Sequence, residues 1–225
     1  MERADKQGKI PISGMIARWA LFLLLFAILV FAPAGTLDWP EGWLLLGLYI
    51  ACSIVVGAWM LENDPAWLVE RLSLEKGEFW DMVLLLLIGA CFIAVFVISG
   101  LYHAQLPSGA EALGFFGMVL AFAFVFSVLK VNPYITRMVK VSKGQKVIST
   151  GPYSVVRHPM YAGAIVFYLS IPIALGSLYA LAPALCGAAL FVLRTYMEDK
   201  TLRKRLKGYE EYCNRTRYRL IPYVW

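Results

Sequence analysis

Two polar clusters near the C-terminus contain the residue types most capable of chemistry. The first is the run GPYSVVRHPMYAG, Gly151–Gly163, which holds an arginine, a histidine and two tyrosines. The second is the pair Arg194 and Glu198, which share one face of a helix at the end of the last hydrophobic stretch. A guanidinium can hold a carboxylate or phosphate at two points, and tyrosine rings attract a ligand cation. Because both clusters fall at the same edge of a hydrophobic span, they predict a site that meets a water-soluble cofactor and a lipid together.

The composition is that of a membrane protein. Of the 225 residues, 60% are hydrophobic and 16% are charged, and the mean hydropathy is +0.66. Soluble globular domains carry about 25% charged residues, so this chain is not a soluble domain. Apolar runs long enough to predict membrane segments cover Ile16–Ala34, Trp43–Leu61, Met82–Leu101, Ala112–Leu129, Met160–Leu175 and Leu178–Leu193.

These runs predict an all-α, polytopic transmembrane helical protein with about six membrane segments. The last two runs are shorter and contain Pro172 and Pro183, so they predict a tilted helical hairpin that returns the chain to the side it left. The first run is expected to stay as an uncleaved helix. A single membrane domain is predicted over residues 1–225, with a four-helix part over 1–131. The part over 132–225 contains a loop, the hairpin and an amphipathic C-terminal helix.

The positions of the positive charges predict the orientation, because Lys and Arg accumulate in cytoplasmic loops. With six alternating passes, all 21 Lys and Arg residues fall on one side of the membrane. The opposite side carries Asp38, Glu41, Glu111 and His103. Both termini and both polar clusters are therefore predicted to be cytoplasmic.

Two segments are predicted to lie along the membrane surface. Glu62–Asp81 has mixed charge and contains an Asp-Pro pair, which suits the start of a short interfacial helix. Near the C-terminus, Leu202, Leu206, Tyr209 and Cys213 recur at helical spacing, with basic residues on the other faces. That pattern predicts an amphipathic helix attracted to anionic lipid headgroups.

Charge, cysteines and histidines exclude several other kinds of site. The net charge of +6 follows from the topology, and the sequence contains no nucleic-acid-binding module, so no nucleic-acid partner is predicted. The four cysteines lack the spacing of a disulfide framework or a metal site. The two histidines are predicted on opposite sides of the membrane, so no metal is predicted.

The residues around the first cluster predict a tight turn followed by a helix. Asn132 closes the fourth span, and Gly151-Pro152 favours a turn before the cluster. Pro159 suits an early helical position. His158 is therefore predicted at a helix N-terminus, with Tyr161 one turn further in.

Taken together, GPYSVVRHPMYAG and RTYMEDKTLRKRLKGYEEYCNRTRYRLIP resemble the C-terminal signature of the isoprenylcysteine carboxyl methyltransferase family and its prokaryotic relatives. The resemblance covers about Asn132 to Pro222, with a similar segment, PAWLVERLSLEKGEFWD, upstream. It implies an integral membrane enzyme that binds S-adenosylmethionine between its C-terminal helices and cytoplasmic loops. The absence of a G-x-G-x-x-G motif agrees with this. The membrane would be the cytoplasmic membrane of a prokaryote or the endoplasmic reticulum of a eukaryote.

The resemblance also implies roles for individual residues. Arg194 and Glu198 would be the catalytic pair, with Glu198 at the polar end of the cofactor and Arg194 facing the acceptor together with Asn132. The residues that would contact the cofactor are Gln145, Lys146, Val147, Ile148, Tyr153, His158, Pro159, Met160, Tyr161 and Glu198. The acceptor would be a lipophilic or prenylated molecule from the bilayer, with a carboxylate as the methylated group.

This chemistry asks little of acid–base residues, because a sulfonium methyl group is already activated. Positioning of the acceptor and exclusion of water do most of the work. A carboxylate acceptor needs no base. An amine acceptor must lose a proton, for which Glu198 and His158 are the available groups.

Three other functions share part of this pattern. Phospholipid N-methylation differs only in the acceptor. Membrane sterol reductases have a related RHP-x-Y-x-G helix and bind a reduced nicotinamide, but they carry a glutamate where this chain has Ala164. In a non-catalytic scaffold, Arg157 and Arg194 would only snorkel and His158 would only cap a turn.

Overall fold

The computed structural model describes residues 12–63, 78–107, 109–136, 138–141 and 144–225. In these ranges the chain folds into seven α-helices and one 3-10 turn, which confirms the all-α prediction. The helices are α1 (Ile12–Ala34), α2 (Pro40–Asn63), α3 (Phe79–Leu101), α4 (Ala110–Val131), α5 (Pro159–Ala174), α6 (Leu181–Arg205) and α7 (Tyr209–Arg215), and the turn covers Gly151–Ser154.

Five of the described helices, α1 to α4 and α6, are long and apolar enough to cross a membrane. Helix α5 is also apolar but has only 16 residues. Its length is about 24 Å, shorter than a hydrocarbon core of about 30 Å. Large apolar side chains such as Leu21, Leu86 and Leu113 are exposed, as contact with lipid requires. The prediction of a polytopic helical membrane protein is confirmed.

The second helix of the hairpin extends well beyond the predicted apolar run and beyond Glu198, which was predicted to lie on it. The apolar run ends at Leu193, but α6 continues to Arg205. Its polar continuation is stable as a helix because Arg194, Thr195 and Asp199 are buried on its inner face. Hydrophobicity marked only the apolar part of this helix, since tertiary packing supplies most helical stability.

The interfacial helix predicted over Glu62–Asp81 falls mostly outside the described residues. Glu62 belongs to the end of α2. Asp81 lies in the first turn of α3 and is fully buried, so it is not a surface residue of an interfacial segment.

The C-terminal segment also differs from a single amphipathic helix. Residues 206–208 separate the end of α6 from α7. The apolar side chains of Leu206, Tyr209 and Cys213 pack in a cluster with Val128 and Tyr153. They cover the protein core at this end of the molecule and do not face lipid.

Close packing of α4 against α5 fixes the start of α5 beside the end of α4. A Cβ atom added to Gly114 would lie 2.1 Å from the backbone nitrogen of Ala174, and one added to Gly163 would lie 2.5 Å from Cγ2 of Val125. Only a residue without a side chain permits such an approach at Gly114. Helix α3 packs against both α1 and α6.

The turns divide the molecule into two ends. At one end, the connection between α3 and α4 meets the turn between α5 and α6. There the Gln105 backbone amide donates a hydrogen bond to the Gly176 carbonyl over 2.9 Å. At the other end, Glu78 before α3 forms an ion pair with Arg205 at the end of α6. The described Lys and Arg residues lie towards this second end, in agreement with the predicted charge segregation. Which end is cytoplasmic remains a prediction.

Candidate functional site

A cavity of about 420 Å³ lies at the basic end of the molecule. Its volume is within the range of small-molecule sites, about 300–1,000 Å³. Leu85 of α3 and Val125 and Leu129 of α4 form an apolar part of its lining. The connection after α4, the start of α5, the inner face of α6 and residues of α7 contribute the polar part. The cavity therefore joins membrane-spanning helices to polar segments.

All but one of the predicted site residues line this cavity. These residues are Asn132, Gln145, Lys146, Val147, Ile148, Tyr153, His158, Met160, Tyr161, Arg194 and Glu198. Pro159 is the exception: it is the first residue of α5 and is fully buried. The structure thus brings the two sequence clusters together, while the role of each residue remains a prediction.

The turn before α5 positions Tyr153. Gly151 has a φ of +57°, a conformation that glycine adopts without strain, and starts the 3-10 turn. The Tyr153 hydroxyl accepts a hydrogen bond from the Asn132 side-chain amide over 2.7 Å, and the Tyr153 carbonyl accepts one from the Tyr212 hydroxyl over 2.6 Å. Burial is the main cause that raises the pKa of Tyr153 to about 12, with a smaller contribution from the charge of Glu198. Its phenol is therefore neutral at physiological pH.

The first turn of α5 and the inner face of α6 meet at Glu198. The Tyr161 hydroxyl donates a hydrogen bond to the Glu198 carboxylate. The Tyr161 ring stacks on the His158 ring with centroids 6.0 Å apart and an interplanar angle of 9°, and the Arg194 guanidinium lies 5.2 Å from its centroid. His158 is the N-cap residue of α5, as predicted. One wall of the cavity therefore combines a carboxylate, a phenol, an imidazole and a guanidinium.

Arg194 is held by a buried ion pair with Asp81. Its Nε lies 2.7 Å from Oδ1 of Asp81 and its Nη2 lies 3.2 Å from Oδ2. Asp81 is 0% exposed and Arg194 is 6% exposed. Oδ2 of Asp81 also accepts the Val139 amide over 2.7 Å. Arg194 is thus not a snorkelling side chain, and a protein carboxylate compensates its charge.

Asp199 is a second buried carboxylate, 1% exposed, and it contacts residues from four parts of the chain. Its oxygens contact Arg157 Nε at 2.8 Å, the Tyr209 hydroxyl at 3.1 Å, Arg203 Nε and Arg219 Nε at 3.2 Å each, and His158 Nε2 at 3.3 Å. Arg157 is 4% exposed, so it does not snorkel either. A buried charge needs such partners, and this cluster ties the C-terminal tail to the start of α5.

Asp81 and Asp199 are the buried polar residues of this region whose environment the sequence does not reveal. Asp81 lies one residue before the predicted span that starts at Met82, and a carboxylate at the edge of a span is a weak signal for a buried partner. For Asp199 the sequence offers only the helical spacing to Arg203, which predicts an ordinary surface pair.

Comparison with known proteins finds a match to a methyltransferase family model and one to a sterol reductase. Residues 110–208 match the family model "Phospholipid methyltransferase", which covers less than half of the chain. The matched residues begin with α4 and end just before α7, so they contain most of the cavity. The chain is also 34% identical over 90 residues to Delta(14)-sterol reductase TM7SF2 of Mus musculus. That alignment covers 39% of this chain and 22% of the reductase.

The family-model match supports the broader family of integral membrane methyltransferases and does not distinguish the isoprenylcysteine branch. The reductase match is similar in extent but spans only about a fifth of that protein's length. The first match is thus to a methyltransferase family, and it falls on the part of the chain that contains most of the cavity.

Proposed function

We propose that this chain transfers the methyl group of S-adenosylmethionine to a lipid-like acceptor at the membrane surface. The single observation that carries the proposal is the cavity in which both polar clusters meet apolar side chains of α3 and α4. A cofactor from the aqueous phase and an acceptor from the bilayer can reach such a cavity from different sides. The phospholipid methyltransferase match covers the lining elements from α4 to the end of α6 and supports the proposal further.

The residues around the cavity fit the proposed cofactor. When bound, S-adenosylmethionine supplies an activated methyl group on a positively charged sulfur. Glu198, oriented by the Tyr161 hydroxyl, would bind the polar end of the cofactor. The Tyr153 and Tyr161 rings would attract the positive charge, a contribution of about 0.5 to 2 kcal/mol. Gln145, Lys146, Val147, Ile148, His158 and Met160 would complete the cofactor side.

Leu85, Val125 and Leu129 would receive the apolar part of the acceptor, since they come from membrane helices. A carboxylate acceptor, as in the isoprenylcysteine family, would be oriented by Arg194 and Asn132. An amine acceptor, as in a phospholipid headgroup, would lose a proton to Glu198 or His158. Because Asp81 compensates the charge of Arg194, the attraction for an acceptor carboxylate is weaker than a lone guanidinium would give. This pairing supports an amine acceptor more than the sequence alone does.

One labelling experiment tests the proposal and distinguishes the two acceptor groups. The purified protein is incubated with total membrane lipid and S-adenosylmethionine carrying a tritiated methyl group. We expect radioactivity in the lipid fraction. Alkaline hydrolysis then releases the label as volatile methanol from a methyl ester but leaves an N-methyl amine labelled. Absence of any labelled lipid or prenylated product, together with absence of cofactor binding, would refute the methyltransferase function.

A second candidate function follows from the match to the mouse sterol reductase. A reductase would bind a reduced nicotinamide in the same cavity, although Ala164 replaces the glutamate expected in that group of enzymes. Calorimetric titration with S-adenosylmethionine and with reduced nicotinamide cofactors separates the candidates. Binding of the nicotinamide alone would favour the reductase, and binding of neither would favour a non-catalytic scaffold.

A further inference from the structure

Asp81 is a buried carboxylate to which the proposed methyl transfer gives no direct role. It lies in the first turn of α3 and does not belong to the cavity lining. Its two oxygens nevertheless contact two residues that do line the cavity, Arg194 of α6 and Val139 of the connection after α4. Three separate parts of the chain therefore meet at one carboxylate.

Joining α3 to α6 does not by itself require a buried ion pair. The exposed pair Glu78–Arg205 links the same two helices at the surface. Burial of a carboxylate and a guanidinium is costly, and apolar side chains of similar size often pack as stably or better. Stability alone is thus a weak explanation for the burial of Asp81 and Arg194 as an ion pair.

The geometry of its contacts is a better explanation for the buried Asp81 carboxylate. The two-point contact between Asp81 and Arg194 fixes the plane of the guanidinium as well as its distance. The remaining contact, from the Val139 amide to Oδ2, holds the connection that continues to Lys140 and, further on, to Gln145–Ile148. These residues line the cavity together with Arg194 and Glu198 of α6.

We propose that Asp81 is a positioning residue of the site: it sets the orientation of Arg194 and the place of the connection after α4 through one buried carboxylate. Asp81 would then contribute to ligand binding without touching the ligand. The identity of the ligand in this inference rests on the proposed function, whereas the effect on Val139 does not.

Three variants of the full chain test the inference. Asp81→Asn keeps the shape but removes the negative charge and one of the two acceptor oxygens, so the two-point contact with Arg194 is lost and the contact with the Val139 amide is weakened. The double variant Asp81→Leu/Arg194→Met leaves no charge buried, so it is expected to fold even where the single variant does not. Glu78→Gln is the matched control, because it removes the exposed link between the same helices.

Hydrogen exchange, calorimetric titration and thermal unfolding are measured on each purified variant in detergent. Hydrogen exchange of the peptide that contains Val139 reports directly on the hydrogen bond from the Val139 backbone amide to Asp81. Calorimetric titration with S-adenosylmethionine reports on the cavity. We expect faster exchange at Val139 and an affinity lowered about ten-fold in both Asp81 variants, and wild-type values in Glu78→Gln. The double variant should keep a wild-type melting temperature while its affinity falls. A purely structural role of Asp81 predicts no loss of affinity in a variant that is as stable as the wild type.

Wild-type exchange at Val139 together with wild-type affinity in the double variant would overturn the inference. So would an equal effect of Glu78→Gln, because the link between α3 and α6 would then be what matters. If the wild-type protein itself does not bind S-adenosylmethionine, the proposed cofactor is wrong. The exchange measurement still decides whether Asp81 holds the connection.

Discussion

Two neighbouring acidic residues, Glu198 and Asp199, have different surroundings because successive helical positions point about 100° apart. Glu198 faces the cavity and accepts a hydrogen bond from Tyr161. Asp199 points into the protein, where arginines surround it. Of these two adjacent acidic residues, one is thus suited to binding a ligand and the other to stabilising the fold.

At the residue scale, Glu198→Ala is expected to abolish or severely weaken binding of S-adenosylmethionine. Loss of a hydrogen bond to a charged group costs about 1.5 to 3 kcal/mol, which corresponds to about a 10- to 100-fold loss of affinity. Calorimetric titration measures the change, and Glu210→Ala on the exposed side of α7 is the control. Wild-type affinity in Glu198→Ala would count strongly against the proposed cofactor.

Arg194→Ala is expected to impair turnover, as the sequence alone predicts, and also to destabilise the protein. The substitution leaves the Asp81 carboxylate buried without its guanidinium, which costs about 3 to 5 kcal/mol. Thermal unfolding in detergent is compared with that of Arg205→Ala, whose exposed ion pair contributes about 1 kcal/mol or less. Equal melting temperatures of the two variants would contradict the buried pair.

At the scale of elements, the contact between α4 and α5 is what places the start of α5 at the cavity. Gly114→Ala would put a Cβ atom 2.1 Å from the Ala174 nitrogen, so the two helices must separate. Such overpacking costs about 1 to 3 kcal/mol, and the melting temperature should fall. Gly89→Ala in α3 is the control, because an added Cβ meets nothing within 4 Å there and alanine favours a helix. An unchanged melting temperature in Gly114→Ala would refute this close packing.

The C-terminal tail is a second element whose position depends on a few contacts. The Arg157 and His158 amides donate to the carbonyls of Tyr218 and Arg219 over 2.9 Å each, and Asp199 binds the side chain of Arg219. Asp199→Asn removes the negative charge that holds these cations, so the tail should loosen.

Limited trypsin digestion measures this loosening as faster cleavage in the tail, at Arg215 and Arg217. Glu211→Gln is a suitable control, because Glu211 is an exposed acidic residue of α7. If Asp199→Asn is digested at the wild-type rate, Asp199 does not hold the tail.

At the scale of the whole molecule, the distribution of charge predicts that the cavity faces the cytoplasm. Asp38 and Lys207 are exposed residues at opposite ends of the molecule. We expect Asp38→Cys to react with a membrane-impermeant maleimide on intact cells, and Lys207→Cys to react only after permeabilisation. The wild-type chain, with its own four cysteines, gives the background. The reverse pattern of labelling would invert the proposed orientation.

Much of the architecture follows from local sequence. The apolar runs predicted the membrane helices because a span needs only a continuous stretch of hydrophobic residues. The apolar runs did not predict that α6 continues to Arg205, since the helix beyond Leu193 is polar and depends on buried partners. The turn at Gly151 and the N-cap position of His158 were predictable for the same local reason.

The sequence by itself determined that the protein lies in a membrane and that its two polar clusters sit at the same edge of it. Hydrophobicity and turn preference act over a few residues, so both can be derived without knowing which helices are neighbours. Only the tertiary structure decided that Arg194 pairs with Asp81, which is 113 residues away in the chain, and that Asp199 binds arginines from three segments. A buried charge is stable only beside its partner, and which partner is near depends on the packing of the whole helical bundle.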